Sequence, residues 1–506
     1  MRYTEKKRIF YNGVFMKNLF EQLTEYANSG YYPFHMPGHK RNLELIHEMQ
    51  KRYKALDLYG IDITEIDGFD NLHHAETILK EAQDRAAKLY GAKKSYYLVN
   101  GSTCGILAAV FACTEDNGKI LMARNCHKAV YHAVELRHLS VKYLYPEEVC
   151  LMDKIILNGV IKPEDVEKEL RENDDIQVVF LTSPTYDGMV SDIKKIAEIA
   201  HHYGKPLIVD EAHGSHFGFH PYLPESALSH GADVVIQSLH KTLPSLTQTA
   251  ILHVGKESLV DPLRIQKYLG MFETSSPSYV FMAGMDLCIG LLQEKGEKLF
   301  SDFADKLEKF CHQVQKLEHI HLFSQRELWE KQIKMDPSKL VIAADNMDGN
   351  ELAEYLRKEC FLEVEMAAAG YVLALTSIAD TQEGFDRLYE ALKKLDQRIE
   401  SCPSKVKSQQ NLIEELNQKM ERPESICKIS EAANAFAEIC PLDQAAGKIS
   451  GEYVYLYPPG IPLVVPGERI SENMVKTFLW YQSRGFSLQG LEDYEGKNIR
   501  CLHRFR

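Results

Sequence analysis

Short apolar segments alternate with amphipathic segments between residues 61 and 310 of this 506-residue chain. Apolar residues recur at helical spacing over 192–203, which predicts a helix that begins at Ser191 or Asp192 and ends at Gly204. Three short segments are apolar on both faces and predict buried strands: Gln177–Thr182, Pro206–Val209 and Ala232–Gln237. Strands of this kind between helices predict an α/β unit with a mostly parallel sheet that is covered on both sides.

The pattern changes on either side of this unit. Residues 32–40 contain two prolines and a glycine, which predict no regular element, and four prolines over 457–468 predict a rigid loop that is neither helix nor strand. A polar linker is predicted near residues 401–410. We therefore expect four parts: an N-terminal arm (1–60), a large α/β domain (61–310), a small α+β domain (311–400) and a C-terminal domain (411–506).

Composition narrows the class of protein. The chain is 45% hydrophobic and 26% charged, as expected for a soluble globular protein, and its net charge of −13 argues against a nucleic-acid partner. Eleven scattered cysteines without a C-x-x-C pair predict reduced thiols. No apolar run predicts a signal peptide or a membrane span, so we expect a cytoplasmic protein with no membrane partner.

A lysine and an aspartate follow two of the predicted strands. Asp210 directly follows the segment Pro206–Val209, and Lys241 lies just after Ala232–Gln237. Ligands of parallel sheets bind at the carboxyl ends of strands, where both residues are expected. A lysine amine can form an imine with a carbonyl cofactor, and a carboxylate can keep a pyridine nitrogen protonated. The pair therefore predicts a pyridoxal 5′-phosphate (PLP) site, with Lys241 and Asp210 as catalytic residues.

Other residues fit the same cofactor. Ser102 and Thr103 lie in a glycine turn that opens a helix, which is a typical phosphate site. His127 follows an apolar strand and can stack on a pyridine ring, which makes it the third predicted catalytic residue. Two further residues are expected beside the ring, one beneath it and one near its phenolic oxygen: Ala212 and His213. Four more are expected on the phosphate side or in contact with it: Ser238, His240, Thr274 and Ser275.

Two other kinds of site are disfavoured. The letters D-E-A-H at 210–213 also occur in helicases, but the chain has no G-x-x-x-x-G-K-[ST] loop to bind nucleotide phosphates. The histidine pairs at 73–74 and 201–202 lack other ligands at suitable spacing. We therefore expect no metal site.

With these motifs in view, the chain resembles the PLP-dependent Orn/Lys/Arg decarboxylases of fold type I, in particular a shorter bacterial branch without an N-terminal wing domain. The matching motifs are spread over most of the chain: F-H-M-P-G-H-K (34–40), D-I-T-E (62–65), N-G-S-T (100–103), R-N-C-H-K (124–128), S-P-T-Y-D-G (183–188), D-E-A-H-G (210–214), S-L-H-K-T-L-P (238–244), T-S-S-P-S-Y (274–279) and Y-P-P-G-I-P-L (457–463).

The resemblance implies an aminotransferase-like large domain, a small domain and a C-terminal decarboxylase domain. It implies decarboxylation of lysine, arginine or ornithine to a diamine or agmatine, with Lys241 bonded to PLP, Asp210 at the pyridine nitrogen and His127 on the ring. It also implies a homodimer in which the 274–279 loop reaches the site of the partner. A run of small residues at 367–370 departs from the family pattern, so the side-chain specificity is not predicted.

Three questions stay open at this point. Another PLP enzyme of the same fold, such as an aminotransferase or a carbon–carbon lyase, remains an alternative, although no arginine after Leu375 is well placed for a substrate carboxylate. A catalytically silent regulator of polyamine metabolism is a second alternative, which the intact set of Lys241, Asp210 and His127 disfavours. The acid that protonates the substrate Cα is either Lys241 or a nearby histidine.

Overall fold

The computed structural model describes residues 10–11, 14–15, 28–49, 60–151, 155–323, 333–401, 422–458 and 460–503. The predicted linker at 401–410 lies almost entirely outside these ranges, as does most of the N-terminal arm. Among the described residues, no helix combines the length and the apolar character needed to cross a membrane.

A seven-stranded sheet forms the centre of the large unit. In chain order its strands are β1 (Lys94–Leu98), β2 (Lys119–Ala123), β3 (Ser140–Leu144), β4 (Ile176–Thr182), β5 (Leu207–Asp210), β6 (Val234–Gln237) and β7 (Ala250–Val254). Their spatial order is β1-β7-β6-β5-β4-β2-β3. β2 to β6 run parallel, and β7 is antiparallel to both of its neighbours. The prediction of a mostly parallel sheet is confirmed.

Helices cover both faces of this sheet, because its inner strands are apolar on both sides. One core lies under the helices Gly101–Cys113, Lys128–Leu136, Ile193–His202 and Pro262–Phe272. The other core lies under Ile78–Tyr90 and the 36-residue helix Tyr279–Val314, and it continues into the small unit. The large unit also contains the helix Pro163–Glu172, the four-residue helix Leu239–Thr242, the hairpin strands Glu148–Leu151 and Ile155–Asn158, and the short strand Met189–Val190.

The predicted helix over 192–203 is present as Ile193–His202. Of the two candidate caps, Asp192 is the one whose side chain accepts a hydrogen bond, from the Lys195 amide at 3.1 Å. Gly204 follows the helix with φ +67°, a left-handed conformation that ends helices and suits glycine.

The small unit is an antiparallel sheet with two helices. Its strands, in spatial order, are Ile320–Phe323, Lys339–Ala344, Val372–Leu375 and Met366–Ala367. The helices are Gly349–Cys360, which begins with a capping box of Asp348 and Glu351, and Gln382–Ser401. The strand Lys334–Met335 pairs with Met189–Val190 and so ties this unit to the large one.

The C-terminal unit has its own core around the helix Glu472–Ser483. Its remaining elements are the helix Ile429–Ala433, the 3₁₀ turn Leu442–Gln444, and the strands Ala437–Pro441, Val454–Leu456, Pro462–Val464, Leu488–Gln489 and Asn498–Leu502. The prediction that 457–468 contains no strand is wrong. Pro462–Val464 pairs with Val454–Leu456, and proline is tolerated because it is the first residue of its strand.

The N-terminal arm also contains more regular structure than expected. Tyr32–Phe34 is a strand that pairs in parallel with Leu362–Val364 of the small unit, so the prediction of no regular element over 32–40 is wrong at its start. Pro33 is compatible with this two-stranded ladder because an edge position does not require its missing amide. The arm further contains the helix Leu43–Met49 and the two-residue strands Phe10–Tyr11 and Val14–Phe15.

Candidate active site

The carboxyl ends of β5 and β6 lie side by side, and the segments that follow them contribute the first residues of the candidate site. β5 ends at Asp210, whose register partner on β6 is Ile236, so the two exit segments start from one edge of the sheet. The Asp210 carboxylate is 3% exposed and accepts a hydrogen bond from the Ala212 amide at 3.1 Å. Burial raises the pKa of Asp210, and the charge of Lys241 partly opposes that rise. A buried carboxylate with this one amide donor is well suited to a cationic N–H donor.

Ala212 lies beside Asp210 for a different reason from the predicted one. We expected an extended strand in which residues 210 and 212 face the same side. β5 instead ends at Asp210, and Ala212 lies in a turn whose amide bonds back to the Asp210 carboxylate. The carbonyl oxygen of Ala212 also accepts from the Ser238 amide at 3.3 Å, which joins the two exit segments.

Lys241 lies in the four-residue helix Leu239–Thr242 and not at the end of a strand, because β6 already ends at Gln237. Its side chain is half-buried and its Nζ lies 3.1 Å from Nε2 of His213. Burial lowers the pKa of Lys241, and the carboxylates of Asp210 and Glu365 partly restore it. The amine is therefore easier to deprotonate than that of a surface lysine.

His213 is held between two lysines. Its Nε2 faces Lys241, and its Nδ1 lies 3.1 Å from Nζ of Lys339, which begins a strand of the small unit. The imidazole is 6% exposed and packs edge-on against the ring of Tyr186 at 4.7 Å. Burial, followed by the charges of both lysines, keeps the pKa of His213 well below its usual value. The ring is neutral at physiological pH.

Lys339 was not predicted from the sequence, where it is one lysine before an apolar strand. In the structure it is 1% exposed, and its Nζ donates to the carbonyl oxygens of Thr185 at 3.3 Å and Tyr186 at 2.5 Å. Burial lowers its pKa to about 8. No local pattern marks such a residue, because its partners come from the β4 exit loop and from the segment after β5.

The predicted phosphate loop opens the helix Gly101–Cys113. Gly101 has φ +73°, and the Oγ atoms of Ser102 and Ser238 lie 2.6 Å apart and share a hydrogen bond. Thr103 is exposed at the same helix end. The structure therefore brings together Ser102, which follows β1, and Ser238, which follows β6. Both lie next to backbone amides that have no partner within the helix.

His127 stands at the start of the helix Lys128–Leu136, where its Nδ1 accepts the Ala129 amide at 3.2 Å. Burial, followed by the charge of Lys241, lowers its pKa to about 3. The C-terminal unit contacts this residue. Gly460 lies so close that a Cβ there would be 3.3 Å from the His127 ring, and its carbonyl oxygen accepts the Lys128 amide at 3.1 Å. The proline-rich stretch predicted over 457–468 thus reaches the site at Gly460.

His240 faces away from Lys241. Its Nδ1 lies 2.8 Å from the carbonyl oxygen of Thr249, and burial lowers its pKa to about 4. The backbone of this residue anchors the arm, because its carbonyl oxygen accepts the Gly38 amide at 2.7 Å. A Cβ on Gly38 would be 2.8 Å from the backbone of Leu243, so the motif at 34–40 needs glycine to pack on the Lys241 helix.

Glu365 is the acidic side chain that the small unit brings towards Lys241. Its Oε1 accepts the Tyr186 hydroxyl at 2.5 Å and its Oε2 accepts the Met36 amide at 2.9 Å. It is half-buried, and its charge acts on both Lys241 and Lys339. The sequence indicated only that the run of small residues at 367–370 departs from the family pattern, and it gave Glu365 no role.

Thr274 and Ser275 lie apart from these contacts. Thr274 Oγ1 accepts the Ser276 amide at 3.2 Å, its carbonyl oxygen lies 2.9 Å from Nε2 of His73, and Ser275 is exposed. The preceding residue, Glu273, is buried and accepts the amides of Val99 and Asn100, each at 3.3 Å. The 274–279 loop is therefore tethered beside the phosphate loop, and of its hydroxyl-bearing residues only Ser275 and Ser276 are exposed.

No group of three or more His, Cys, Asp or Glu side chains among the described residues is arranged to hold a metal ion. The nine cysteines whose side chains are described are free thiols. In addition, the buried Oδ1 of Asn125, two residues before His127, has no hydrogen-bond partner among the described residues.

Two family descriptions match the chain: the Orn/Lys/Arg decarboxylase major domain over residues 17–383 and the C-terminal domain of the same family over residues 407–494. The chain is 31% identical over 487 residues to an arginine decarboxylase of Bacillus subtilis (strain 168), which covers 96% of this chain and 97% of that protein. It is 22% identical over 601 residues to the lysine decarboxylase LdcA of Pseudomonas aeruginosa, covering 95% of this chain and 79% of that protein.

Solved structures share the fold. Lysine decarboxylase A from Pseudomonas aeruginosa superposes with a TM-score of 0.74 at 18% identity, covering 96% of this chain and 80% of that chain. An alanine–glyoxylate aminotransferase from Nostoc sp. superposes with a TM-score of 0.55 at 13% identity over 78% of this chain and 100% of that chain, which confirms the aminotransferase-like large unit. With both of its family domains matched, this chain belongs to the Orn/Lys/Arg decarboxylase family and is an amino-acid decarboxylase.

Proposed function

We propose that this chain decarboxylates a basic L-amino acid (lysine, arginine or ornithine) with PLP as its cofactor, and releases carbon dioxide and a diamine or agmatine. The observation that carries this proposal is that the half-buried Lys241 lies at the same edge of the sheet as the buried Asp210 carboxylate, close enough for their charges to interact, with His213 in contact with the lysine. Relatives named arginine decarboxylase and lysine decarboxylase support a basic substrate. The choice among the three amino acids is left to experiment.

The residues of the site fit PLP. The buried Asp210 carboxylate, with its one amide donor, would hold the pyridine nitrogen protonated, and His127 would stack on the ring with Ala212 beneath it. His213 would reach the phenolic oxygen. The phosphate would bind the amides and hydroxyls at Ser102, Thr103 and Ser238, which His240 supports through its helix. Once bound, the cofactor supplies an electron-accepting ring for the pair left on the substrate Cα when carbon dioxide leaves.

The reaction requires three functions of the protein's own side chains. Lys241 must present a neutral amine to bond the cofactor, and burial favours that form by lowering its pKa. A proton must then be delivered to Cα, and Lys241 and His213 are the groups that we propose to carry it, because their nitrogens lie 3.1 Å apart. Water must be kept away from Cα, which the segment around Gly460 favours by closing over His127.

We assign the substrate side chain to Glu365. A lysine, arginine or ornithine side chain carries a positive charge that needs a carboxylate partner when it leaves water. Glu365 is half-buried, acts on Lys241, and uses one oxygen each for Tyr186 and Met36, which leaves acceptor capacity on both.

We also propose a homodimer with shared sites. Ser275 is exposed and has no described hydrogen bond to Ser102 or Ser238, so its hydroxyl is available to the site of a partner subunit. Two exposed apolar side chains lie near this loop, as expected for a subunit interface: Phe69, whose ring contacts Tyr279, and Met271, which precedes Thr274 by three residues. Free thiols and the absence of a described membrane-crossing helix are consistent with a cytoplasmic location, which remains part of the proposal.

An alternative reaction of the same fold is less well supported. Aminotransferases of this fold generally bind the substrate carboxylate with an arginine of the small domain. After Leu375, the small unit offers Arg387, whose Nη2 donates to the carbonyl oxygens of Gly30 and Phe361, and Arg398, which pairs with Glu359. Both guanidinium groups are thus engaged away from Lys241.

Parallel assays of the full-length protein test the proposal. Purified enzyme with added PLP is incubated with L-lysine, L-arginine and L-ornithine in turn, and carbon dioxide and the amine product are both quantified. We expect turnover of at least one substrate and its loss in Lys241→Ala, with activity retained in the matched control Lys334→Ala, an exposed lysine of the small unit. Release of an oxo acid without carbon dioxide, or turnover by Lys241→Ala, would contradict the proposal.

A further inference from the structure

The side chains of Lys339, His213 and Lys241 form a row connected by two nitrogen–nitrogen contacts. The groups around Lys339 determine which of these nitrogens carry protons. Lys339 Nζ faces two carbonyl oxygens, those of Thr185 and Tyr186, and carbonyl oxygens only accept hydrogen bonds. An ammonium has three N–H donors, so a charged Lys339 bonds both carbonyls and directs its third hydrogen at Nδ1 of His213. All of its donors are then satisfied in a buried position.

This arrangement sets the tautomer of His213. A neutral imidazole whose Nδ1 accepts a hydrogen bond carries its proton on Nε2. That N–H points at Nζ of Lys241, 3.1 Å away. An ammonium has no acceptor, so the contact is a hydrogen bond only when Lys241 is a neutral amine with a free lone pair.

We propose that Lys339 is a positioning residue that acts through His213 to hold Lys241 as a neutral amine. The inference rests on the proposed function, because it concerns the readiness of Lys241 to bond a carbonyl cofactor. This role makes the small unit, which has no described hydrogen bond to Lys241 itself, part of the control of the reactive amine through His213.

The competing arrangement places the positive charge on Lys241 and leaves Lys339 neutral. A neutral Lys339 would accept Nδ1–H of His213 while a charged Lys241 donates to Nε2, so the same distances would be kept with the proton at the other end. The surroundings favour the charge on Lys339, since two carbonyl oxygens bond its Nζ directly. The buried carboxylates of Asp336 and Asp187 also lie close enough to raise its pKa.

Other groups act on the two amines from every side of the site. Those that act on Lys339 are Asp336, Asp187, Glu365, Lys241 and His213. Those that interact with Lys241 are Asp210, Glu365, His127, His240, His213 and Lys339. The experiment therefore has to separate the hydrogen-bonded route through His213 from the plain electrostatic effect of removing a charge.

Acetylation of lysines in the full-length apoprotein gives that separation. Acetic anhydride reacts with neutral amines, so the pH dependence of Lys241 acetylation, measured by peptide mass spectrometry against the exposed Lys256, reports its protonation without cofactor or turnover. In Lys339→Met we expect Lys241 to titrate about one pH unit higher, so that its labelling near pH 7.5 falls about tenfold and recovers at higher pH. The matched control Lys334→Met should leave the profile unchanged.

A double-mutant cycle shows whether Lys339 acts on Lys241 through the hydrogen bonds of His213 or through its charge alone. In a His213→Phe background, Lys339→Met should change the labelling of Lys241 by less than about threefold, because the hydrogen-bonded connection is already gone. An equal shift in both backgrounds would mean that charge alone acts, and an unchanged or lower titration in Lys339→Met would establish the opposite polarity. Either result overturns the proposal.

A second variant covers the case in which Lys339→Met does not fold, as judged by its circular dichroism and unfolding midpoint. Lys339→Gln then replaces it, because the two N–H donors of the amide can serve the two carbonyl oxygens, which leaves no donor for Nδ1 of His213. The same upward shift is expected. Since labelling requires no decarboxylation, loss of the proposed function would show in the activity assay of the wild-type protein and not here, and failure of the Lys339 proposal would leave that activity untouched.

Discussion

The cationic side chains inside this enzyme have two contrasting kinds of neighbour: a carboxylate in one region, and an imidazole with backbone carbonyl oxygens in another. Arg124, which follows β2, forms an ion pair with Glu468 of the C-terminal unit at 3.1 Å, with both side chains 1% exposed. Its guanidinium also donates to the carbonyl oxygens of Pro462 at 2.7 Å and Leu463 at 3.2 Å. Glu468 in turn accepts the Val465 amide at 2.9 Å. This set of contacts joins two units of the chain.

Lys339 is also buried and Lys241 is half-buried, but neither forms an ion pair with a carboxylate among the residues in the described ranges. Their direct neighbours are a shared imidazole and backbone carbonyl oxygens. A guanidinium keeps its charge in any protein environment, whereas an ammonium without a carboxylate partner loses its proton readily. This chain therefore joins the C-terminal unit through a fixed charge, whereas the charges of Lys241 and Lys339 depend on their neighbours, as the proposed reactive amine requires.

Removing the carboxylate opposite Lys241 should have the largest effect. In Asp210→Asn we expect kcat to fall about a thousandfold or more, since each ~1.4 kcal/mol of lost transition-state stabilisation is tenfold and a neutral amide cannot hold a pyridine nitrogen protonated. Glu211→Gln is the matched control, because Glu211 is the next buried carboxylate and bonds Ser226, Ala227 and Gln237 instead of the site. A kcat of Asp210→Asn close to that of Glu211→Gln would remove Asp210 from the mechanism.

Breaking the ion pair between Arg124 and Glu468 should mainly lower the free energy of unfolding. Glu468→Gln leaves the Arg124 guanidinium buried without its counter-charge, which costs about 3–5 kcal/mol when one partner of a buried pair is removed. We expect a lower urea midpoint and lower activity, because the same segment carries Gly460 over His127. In the double variant Arg124→Met/Glu468→Leu, most of the lost stability should return, since no buried charge remains. If the double variant is as unstable as the single one, the contacts with carbonyl oxygens matter more than the charges.

Glu365 should affect substrate binding more than turnover. In Glu365→Gln we expect KM to rise about tenfold with kcat changed less than about threefold, the pattern of a lost ground-state contact to a charged substrate. Tyr186→Phe, which removes the hydroxyl donor to Glu365, is a milder control on the same carboxylate. An unchanged KM for all three basic amino acids would place the substrate side chain elsewhere.

Among the buried histidines, His253 offers the smallest and simplest test. It lies in β7, 2.6 Å from the Ser95 hydroxyl, and burial lowers its pKa to about 3. The unfolded chain binds a proton on this imidazole below about pH 6.5, so the stability that His253 contributes is lost as the pH falls from there towards its folded pKa. Between about pH 7.5 and 5.5, wild type should lose about 1.4 kcal/mol more than His253→Gln. Equal losses in urea titrations would mean that His253 is protonated in the fold.

The sequence predicted the parts of this site that follow local rules. The strand that ends at Asp210, the glycine turn before Ser102 and the position of Lys241 just beyond β6 all follow from apolar runs and turn residues. The pairing of a strand-end carboxylate with a nearby lysine was enough to indicate the cofactor. These features depend on a few residues that are close in the chain.

What the sequence could not predict depends on contacts between distant segments. Lys339 and Glu365 reach the site because the small unit packs on the loops after β4 and β5, and no local pattern distinguishes them from surface residues. The strands Tyr32–Phe34 and Pro462–Val464 exist because distant partners, Leu362–Val364 and Val454–Leu456, supply their hydrogen bonds. Ala212 lies beside Asp210 through a turn, which the alternation of a strand does not describe.

We propose that Lys241, and not its buried neighbour Lys339, is the amine that bonds the cofactor. Reduction of the PLP-loaded enzyme with sodium borohydride fixes the cofactor to its lysine, and peptide mass spectrometry then locates it. We predict that the label is found on Lys241, in the peptide that contains Ser238 and His240, and that it disappears in Lys241→Ala while remaining in Lys339→Met. A label on Lys339, or on no single lysine, would contradict the account.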